Sequence, residues 1–447
     1  MNRRIVVSLL AVTAITLPWL GSFLAQALSS LATLSNFSNL TTVAISGIAV
    51  LGASFLLTWG AETAEKDVPR AFAIAVLAVL AVAPEYAVDA LYAWNAGQFA
   101  GTPAGTEAGN LAVANMTGAN RILIGIGWAG IVGFTVLRRG SATDPAVRRG
   151  DGPLTDAVQL DRNLGVEIVF LLAATLWAFV VPLNGGIDVV DTAFLVSLYV
   201  FYIAVVLRDE RVETEEQLGV PAYLQDLPKP VRVGTVIALF AYSALIIITA
   251  VEPFAHGLEE LGKQVGIPPF FMIQWIAPLA SESPELIVVL VLVTKARSSA
   301  GFNALISSKL NQWTLLIGTL AVVYSLALGH YGSLPFDQKQ AGEIWITAAQ
   351  SFFALALILN FQFALREAIG LFLLFISQVL IEFLIIRDIV AIPISSYELL
   401  LVFSGIYIVL GMGLLALHWR AFVHVLRQTG GVVGRALSGQ AQPQEQD

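Results

Sequence analysis

The 447-residue chain has no cysteine, and only 13% of its residues are charged. The first absence excludes disulfides, thiol chemistry and cysteine-ligated metal centres. The second excludes more. A soluble globular chain carries about 25% charged and roughly 45–50% apolar residues, whereas this one is 57% hydrophobic. Half the usual charge does not clothe a chain of this length in water, so a soluble enzyme, a nucleic-acid-binding protein and a disordered scaffold are all set aside. Histidine is scarce too. His256, His330, His418 and His424 fall near the ends of apolar runs or in loops, which argues against a histidine-based catalytic centre, and no H-E-x-x-H motif occurs. Nothing here points to an enzyme or to a resident cofactor.

What is present is apolar sequence in long runs, with a mean hydropathy of +0.78. A membrane helix needs about 20 mostly apolar residues. That ruler predicts twelve spans: 5–27, 40–60, 71–97, 107–137, 164–183, 187–207, 231–251, 268–294, 302–328, 344–365, 368–386 and 396–418. The runs lack period-two alternation, so membrane strands are not expected. With both termini in the cytoplasm, 19 basic residues fall inside and three outside (Lys263, Lys339 and Arg387), while Arg121 and Lys309 lie within spans. That asymmetry obeys the positive-inside rule. The expected class is an all-α polytopic membrane protein of about 12 transmembrane helices. Residues 1–27 also fit a signal peptide ending at Ala25-Gln26-Ala27, though the length of the apolar run favours a retained helix. Segment 208–230, with Glu213, Glu215, Glu216, Pro221, Pro228 and Pro230, reads as a cytoplasmic linker, and the stretch from 428 as a disordered tail.

The chain contains one passage twice. Pro84-Glu85 in AVAPEYAVD meets Pro284-Glu285 in SESPELIVV at an offset of 200. Downstream, Asn110-Leu-Ala-Val-Ala-Asn and Ile122-Leu-Ile-Gly125 meet Asn303-Ala-Leu-Ile-Ser-Ser and Leu315-Leu-Ile-Gly318 at an offset of 193. Each copy is a span with an internal Pro and Glu, a short loop, and a span opening near an Asn. The copies lie on the third and eighth spans, so they run in opposite directions through the membrane. Inverted repeats with interrupted helices are the architecture of alternating-access transporters. Proline inside a helix removes a hydrogen bond, and in hydrocarbon the freed carbonyl must find protein, water or an ion. A glutamate beside it adds a carboxylate to loose carbonyls at one depth, which is a hard-cation site. Glu85 and Glu285 are the central candidates, because a carboxylate near mid-membrane costs a few kcal/mol unless it binds something or holds a proton.

These residues resemble the α-repeats of the cation/Ca2+ exchanger superfamily, whose helices run G-T-S-x-P-E-L and then G-N-x-x-G-S-N-x-x-N. The resemblance implies a five-plus-five inverted-repeat core: an extra helix over 1–39, a first repeat over 40–207, the linker over 208–230, a second repeat over 231–391, and an added helix with its tail over 392–447. Carried over position by position, it implies Glu85 and Glu285 as Ca2+ ligands, joined by Asn115, Ser307, Ser308 and Asn311, with Asn110 and Asn303 as the opening asparagines. The departures are informative. Ala81 and Val82 replace the Thr and Ser before the first Pro-Glu, Val113-Ala114 replaces Gly-Ser, Gly118 replaces the last Asn unless Asn120 stands in, and Glu282 is an added carboxylate. The lost hydroxyls weaken a multi-Na+ site. Arg121 and Lys309 are bases at membrane depth, which face a cavity or a partner; Glu85, Asp89, Glu282 and Glu285 are the expected partners, with snorkelling the alternative for Lys309. Asp89 shares a helical face with Glu85, and Gln378 with Glu382 reads as a structural hydrogen bond.

The sequence therefore predicts a secondary antiporter exchanging Ca2+ or a similar cation for Na+ or H+, with inorganic cations as substrates, the lipid bilayer as surroundings and no nucleic acid. The alternatives are a proton-coupled monovalent-cation exchanger and a non-transporting relative with Arg121 or Lys309 in the ion's place. Zero cysteine and compact loops suggest a prokaryotic inner membrane.

Overall fold

In a computed structural model of the chain, residues 3–27, 38–68, 83–138, 144–152, 154–208, 219–389 and 393–438 are described. Almost all of them are helical. In chain order the helices are α1 (Arg3–Ala27), α2 (Asn39–Ala64), α3 (Ala83–Gln98), α4 (Pro103–Leu137), α5 (Gly165–Ala178), α6 (Val189–Arg208), α7 (Val220–Gln225) and α8 (Lys229–Val265). There follow α9 (Pro269–Trp275), α10 (Ala277–Thr294), α11 (Ser298–Leu328), α12 (Gln338–Ile358), α13 (Leu365–Ile386), α14 (Ser396–Leu417) and α15 (Trp419–Ser438). Eleven helical stretches among the described residues are long and apolar enough to cross a membrane. The remaining expected span, 71–97, is described only from Ala83 onward.

Local chemistry sets the helix ends. Asp337 caps α12 by accepting from the Gln340 N–H at 2.9 Å, and Ser395 with Glu398 forms a reciprocal capping box at α14. Helix α8 stops at Gly266, whose φ of +70° favours a residue without Cβ. At 37 residues α8 outruns the expected span 231–251. Its length of about 55 Å exceeds the hydrocarbon thickness of about 30 Å, because the helix continues past Glu252 and Pro253.

The chain divides into two compact units, Met1–Ala119 with Glu213–Pro284, and Asn120–Val212 with Glu285–Asp447. Each draws on both sequence repeats, and the divisions fall inside α4 and α10. In the first unit α1 and α8 pack on α2. Glycines make close approach possible: Gly47 lies against Phe254 and Gly257 against Val43, the small-residue packing that replaces hydrophobic drive inside lipid. Thr16 hydrogen-bonds Tyr242, and Trp19 Nε1 donates to Thr249 at 3.1 Å. Beyond the end of α2, Asp67 takes a bidentate pair from Arg232, both bonds 2.6 Å. That guanidinium holds the Asp67 carboxyl below its usual range. Arg232 also reaches the Gln225 and Leu227 carbonyls, so the linker's described part, α7, is folded onto α2; residues 209–218 lie outside the described residues.

In the second unit α12 is buried along most of its length between α14 and α5, and α13 packs on the C-terminal part of α4. Two small antiparallel sheets tie loops together: β1 (Val147–Arg148), β2 (Ala157–Gln159) and β5 (Gln362–Ala364) form one, β3 (Gly186–Ile187) and β4 (Leu334–Pro335) the other. Each sheet joins connections that the basic-residue asymmetry puts on one side. One expectation is corrected here. Residues 428–438 are not a disordered tail but the second half of α15, which docks on α5 through Thr429 Oγ1 and the Gly165 carbonyl, 3.1 Å apart.

Candidate cation site

In the first unit the site is built on α3 and α4. Glu85 stands in the first turn of α3 and is 1% exposed, with Asp89 fully buried one turn on. From α4, Asn115 Nδ2 donates to Asp89 Oδ1 at 2.8 Å. The second oxygen of Asp89 and the carbonyl oxygen of Asn115 have no hydrogen-bond partner among the described residues. Buried polar atoms left open in this way are costly unless something else satisfies them. Asn110 lies further back on α4, half-buried, and Ala81 and Val82 are outside the described residues.

Gly118, where the family pattern has Asn, has a packing reason. Proline 278 lacks the N–H that would bond the Gln274 carbonyl, and the helix breaks at Ile276 between α9 and α10. Gly118 lies against that same carbonyl, and a Cβ there would overlap it. The Gln274 side chain is fully buried, with neither its Nε2 nor its Oε1 hydrogen-bonded among the described residues. Sequence reasoning passed over Gln274. The signal was an amide just before a proline-bearing interruption. Glu282, on the following stretch of α10, is 3% exposed.

In the second unit, Ser308 of α11 donates to Glu285 Oε2 at 2.9 Å. Ser308 and Asn115 are repeat equivalents at the offset of 193, so each repeat uses the same position to hold a carboxylate of its Pro-Glu helix. The carboxylates differ: Asp89 in one copy, Glu285 in the other. Ser307 is not brought to Glu285. It lies on the exposed side of α11. Asn311 is 3% exposed, and Asn303 is half-buried with its carbonyl oxygen open.

The two intramembrane bases reach partners that the sequence did not suggest. Lys309 is fully buried and does not snorkel: its Nζ donates to Asn120 Oδ1 at 2.6 Å and sits 4.2 Å from the centroid of the Trp313 ring, a cation–π geometry. Arg121 pairs with Glu343 of α12 at 2.8 Å, both side chains fully buried, and donates to Gln378 of α13. Lys339 then bridges Glu343 at 3.0 Å and Glu382 at 3.1 Å, and Gln378 Nε2 donates to Glu382 at 2.9 Å. Two acids and two bases thus cancel inside the unit. Gln378 with Glu382 is structural as expected, but Lys339 and Glu343 were missed, because a hydropathy ruler starts the span at 344 and discards the first six residues of α12. Just after each base its helix widens into a π turn, Leu123–Trp128 after Arg121 and Gln312–Leu316 after Lys309. Such turns insert a residue, re-aim the face beyond, and recur at functional sites.

Among the described residues no group of three or more His, Asp or Glu is poised to hold a resident metal ion. The arrangement offers instead, in each repeat, a carboxylate at membrane depth fixed by one side-chain donor. Chemically, such groups exchange a proton for a cation.

A family profile described as sodium/calcium exchanger protein matches residues 5–208 and 235–384. The crystal structure of the H+/Ca2+ exchanger CAX is similar at 42% identity and a TM-score of 0.82, covering 98% of this chain and 99% of that one. The Ca2+/H+ antiporter protein YfkE shares the fold at 10% identity and a TM-score of 0.55, covering 86% of this chain and 100% of that one. No curated protein matches.

Proposed function

Because the chain belongs to the sodium/calcium exchanger family, we propose that it is an antiporter exchanging Ca2+ for H+ by alternating access, with Glu85 and Glu285 as the paired carboxylates of the ion site. One observation carries the reading: the equivalent position of each repeat, Asn115 and Ser308, hydrogen-bonds an acid on the Pro-Glu helix. Two carboxylates carry two negative charges, which one Ca2+ or two protons neutralise. A site left with neither keeps bare carboxylates at membrane depth, each costing a few kcal/mol. That penalty disfavours reorientation of the empty site, and obligatory exchange follows from it.

Protons rather than Na+ are favoured by the residues that are missing. Ala81, Val82, Val113 and Ala114 stand where hydroxyls or a glycine would help coordinate Na+, and a long relative with 42% identity is an H+/Ca2+ exchanger. Asn115, Ser308, Asn311 and Glu282 complete the proposed site, with Asp89 as a neighbouring acid. Arg121 and Lys309 act as framework, since Glu343, Gln378 and Asn120 engage them.

The test is a proton count. Addition of Ca2+ to the purified full chain in weakly buffered solution releases protons, and Glu85→Gln and Glu285→Gln each reduce the release. Absence of release from the wild type overturns the proposal, and equal release on adding Na+ replaces it with monovalent-cation exchange.

A further inference from the structure

Helix α15 carries a binding surface that ion exchange does not use. It starts two residues after α14 ends, with only His418 between them, so it leaves a membrane-spanning helix at the depth of the interface. At 3.6 residues per turn its sequence sorts into three faces. Val425, Thr429, Val432 and Ala436 are buried and pin it to its own unit, together with a bond from Arg208 Nη1 to the Ala436 carbonyl at 2.8 Å. Trp419, Leu426 and Leu437 align on a second face, 55%, 39% and 65% exposed. Arg420, His424, Arg427 and Arg435 fall on a third, within an arc of about 80°.

Charge complementarity identifies the occupant. No acidic residue occurs between His418 and Ser438. Among the described residues no ion pair engages Arg162, Arg420, Arg427 or Arg435. An apolar face beside an unpaired basic face is the pattern of a helix lying in the membrane plane, with its apolar side in the acyl boundary and its charges at the headgroups. Next to the basic face is a cavity of about 270 Å³ lined by Gln159, Arg162, Asn360, Gln362 and His424. It combines a guanidinium and an imidazole, both potential hydrogen-bond donors to a phosphate, with side-chain amides held in place by bonds from Gln159 Nε2 to the Phe361 carbonyl and from Gln362 Nε2 to Gln159 Oε1.

We propose that α15 and this cavity form a binding site for an anionic phospholipid, with the phosphate seated between Arg162 and His424, the acyl chains beside Trp419 and Leu426, and Arg420 and Arg427 supplying the charge selectivity. The site belongs wholly to the second unit and does not depend on which ion is exchanged.

The experiment is native mass spectrometry of the detergent-solubilised full chain titrated with phosphatidylglycerol or phosphatidylcholine of equal chain length. Each basic residue near an anionic surface favours binding about fivefold, so the wild type prefers phosphatidylglycerol and Arg420→Gln with Arg427→Gln lowers that preference about 30-fold. Arg420→Lys with Arg427→Lys keeps it, which separates charge from folding. Equal retention of the two lipids by the wild type, or an unchanged preference in the glutamine variant, overturns the site. Displacement of the lipid by glycerol 3-phosphate at matching concentration overturns the lipid assignment in favour of a soluble anion.

Discussion

Replacing Arg121 by methionine removes one charge from a cluster that is neutral as built. Arg121 and Lys339 face Glu343 and Glu382, and the Arg121–Glu343 pair is 2.8 Å apart with both side chains fully buried. Removing one partner of a buried pair costs about 3–5 kcal/mol, because an uncompensated charge stays behind, whereas replacing both is often close to neutral. Arg121→Met and Glu343→Gln alone each fall in that range. The double variant leaves Lys339 with Glu382 at 3.1 Å and restores neutrality. It should therefore cost far less than the sum, with a coupling of about 4 kcal/mol or more. An ordinary hydrogen bond between membrane helices averages about 0.6 kcal/mol in comparable cycles, so the two explanations are well separated. The assay is equilibrium unfolding of the full chain in mixed micelles for wild type, both singles and the double. Additive costs, or a single Arg121→Met cost near the hydrogen-bond value, would refute the reading of Arg121 as the cation of a closed cluster.

Two further outcomes follow from other contacts. Ser308→Ala removes a hydrogen bond to the Glu285 carboxylate, worth about 1.5–3 kcal/mol when the acceptor is charged; the Ca2+ concentration for half-maximal flux rises about tenfold or more, while Ser307→Ala leaves it unchanged, and equal effects would show the helix face to be misassigned. Asp67 has its carboxyl held below the unfolded value of 3.8 by Arg232, so its contribution to stability is present above that value and is lost as pH falls through the lower folded one. The thermal-midpoint gap between wild type and Asp67→Asn is accordingly constant from neutral pH down to about pH 5 and closes in acid; a gap that closes on the alkaline side contradicts it.

Much of this was legible in the sequence because membranes enforce simple rules. Run length located eleven of the twelve expected spans, and the twice-written Pro-Glu pointed to the position shared by Asn115 and Ser308, which hydrogen-bonds an acid of the Pro-Glu helix in each copy. The losses have physical causes. One residue on a helix is a turn of about 100°, so spacing alone did not separate Ser307, on the exposed side, from Ser308, on Glu285. A hydropathy window trims charged ends, and with the first two turns of α12 went Lys339 and Glu343. Glycine and glutamine made the second half of α15 look disordered, although its three-faced pattern was there to be read. Gly118 looked like a lost ligand and is a point of backbone approach to the Gln274 carbonyl.

Exchange of Ca2+ for protons through Glu85 and Glu285 is measured in proteoliposomes loaded at acid pH and diluted into alkaline, Na+-free medium containing Ca2+. The expected result is Ca2+ uptake that collapses when the pH gradient is dissipated and is absent in Glu85→Gln and in Glu285→Gln. Uptake that needs a Na+ gradient, or that persists in either variant, overturns the proposed exchange.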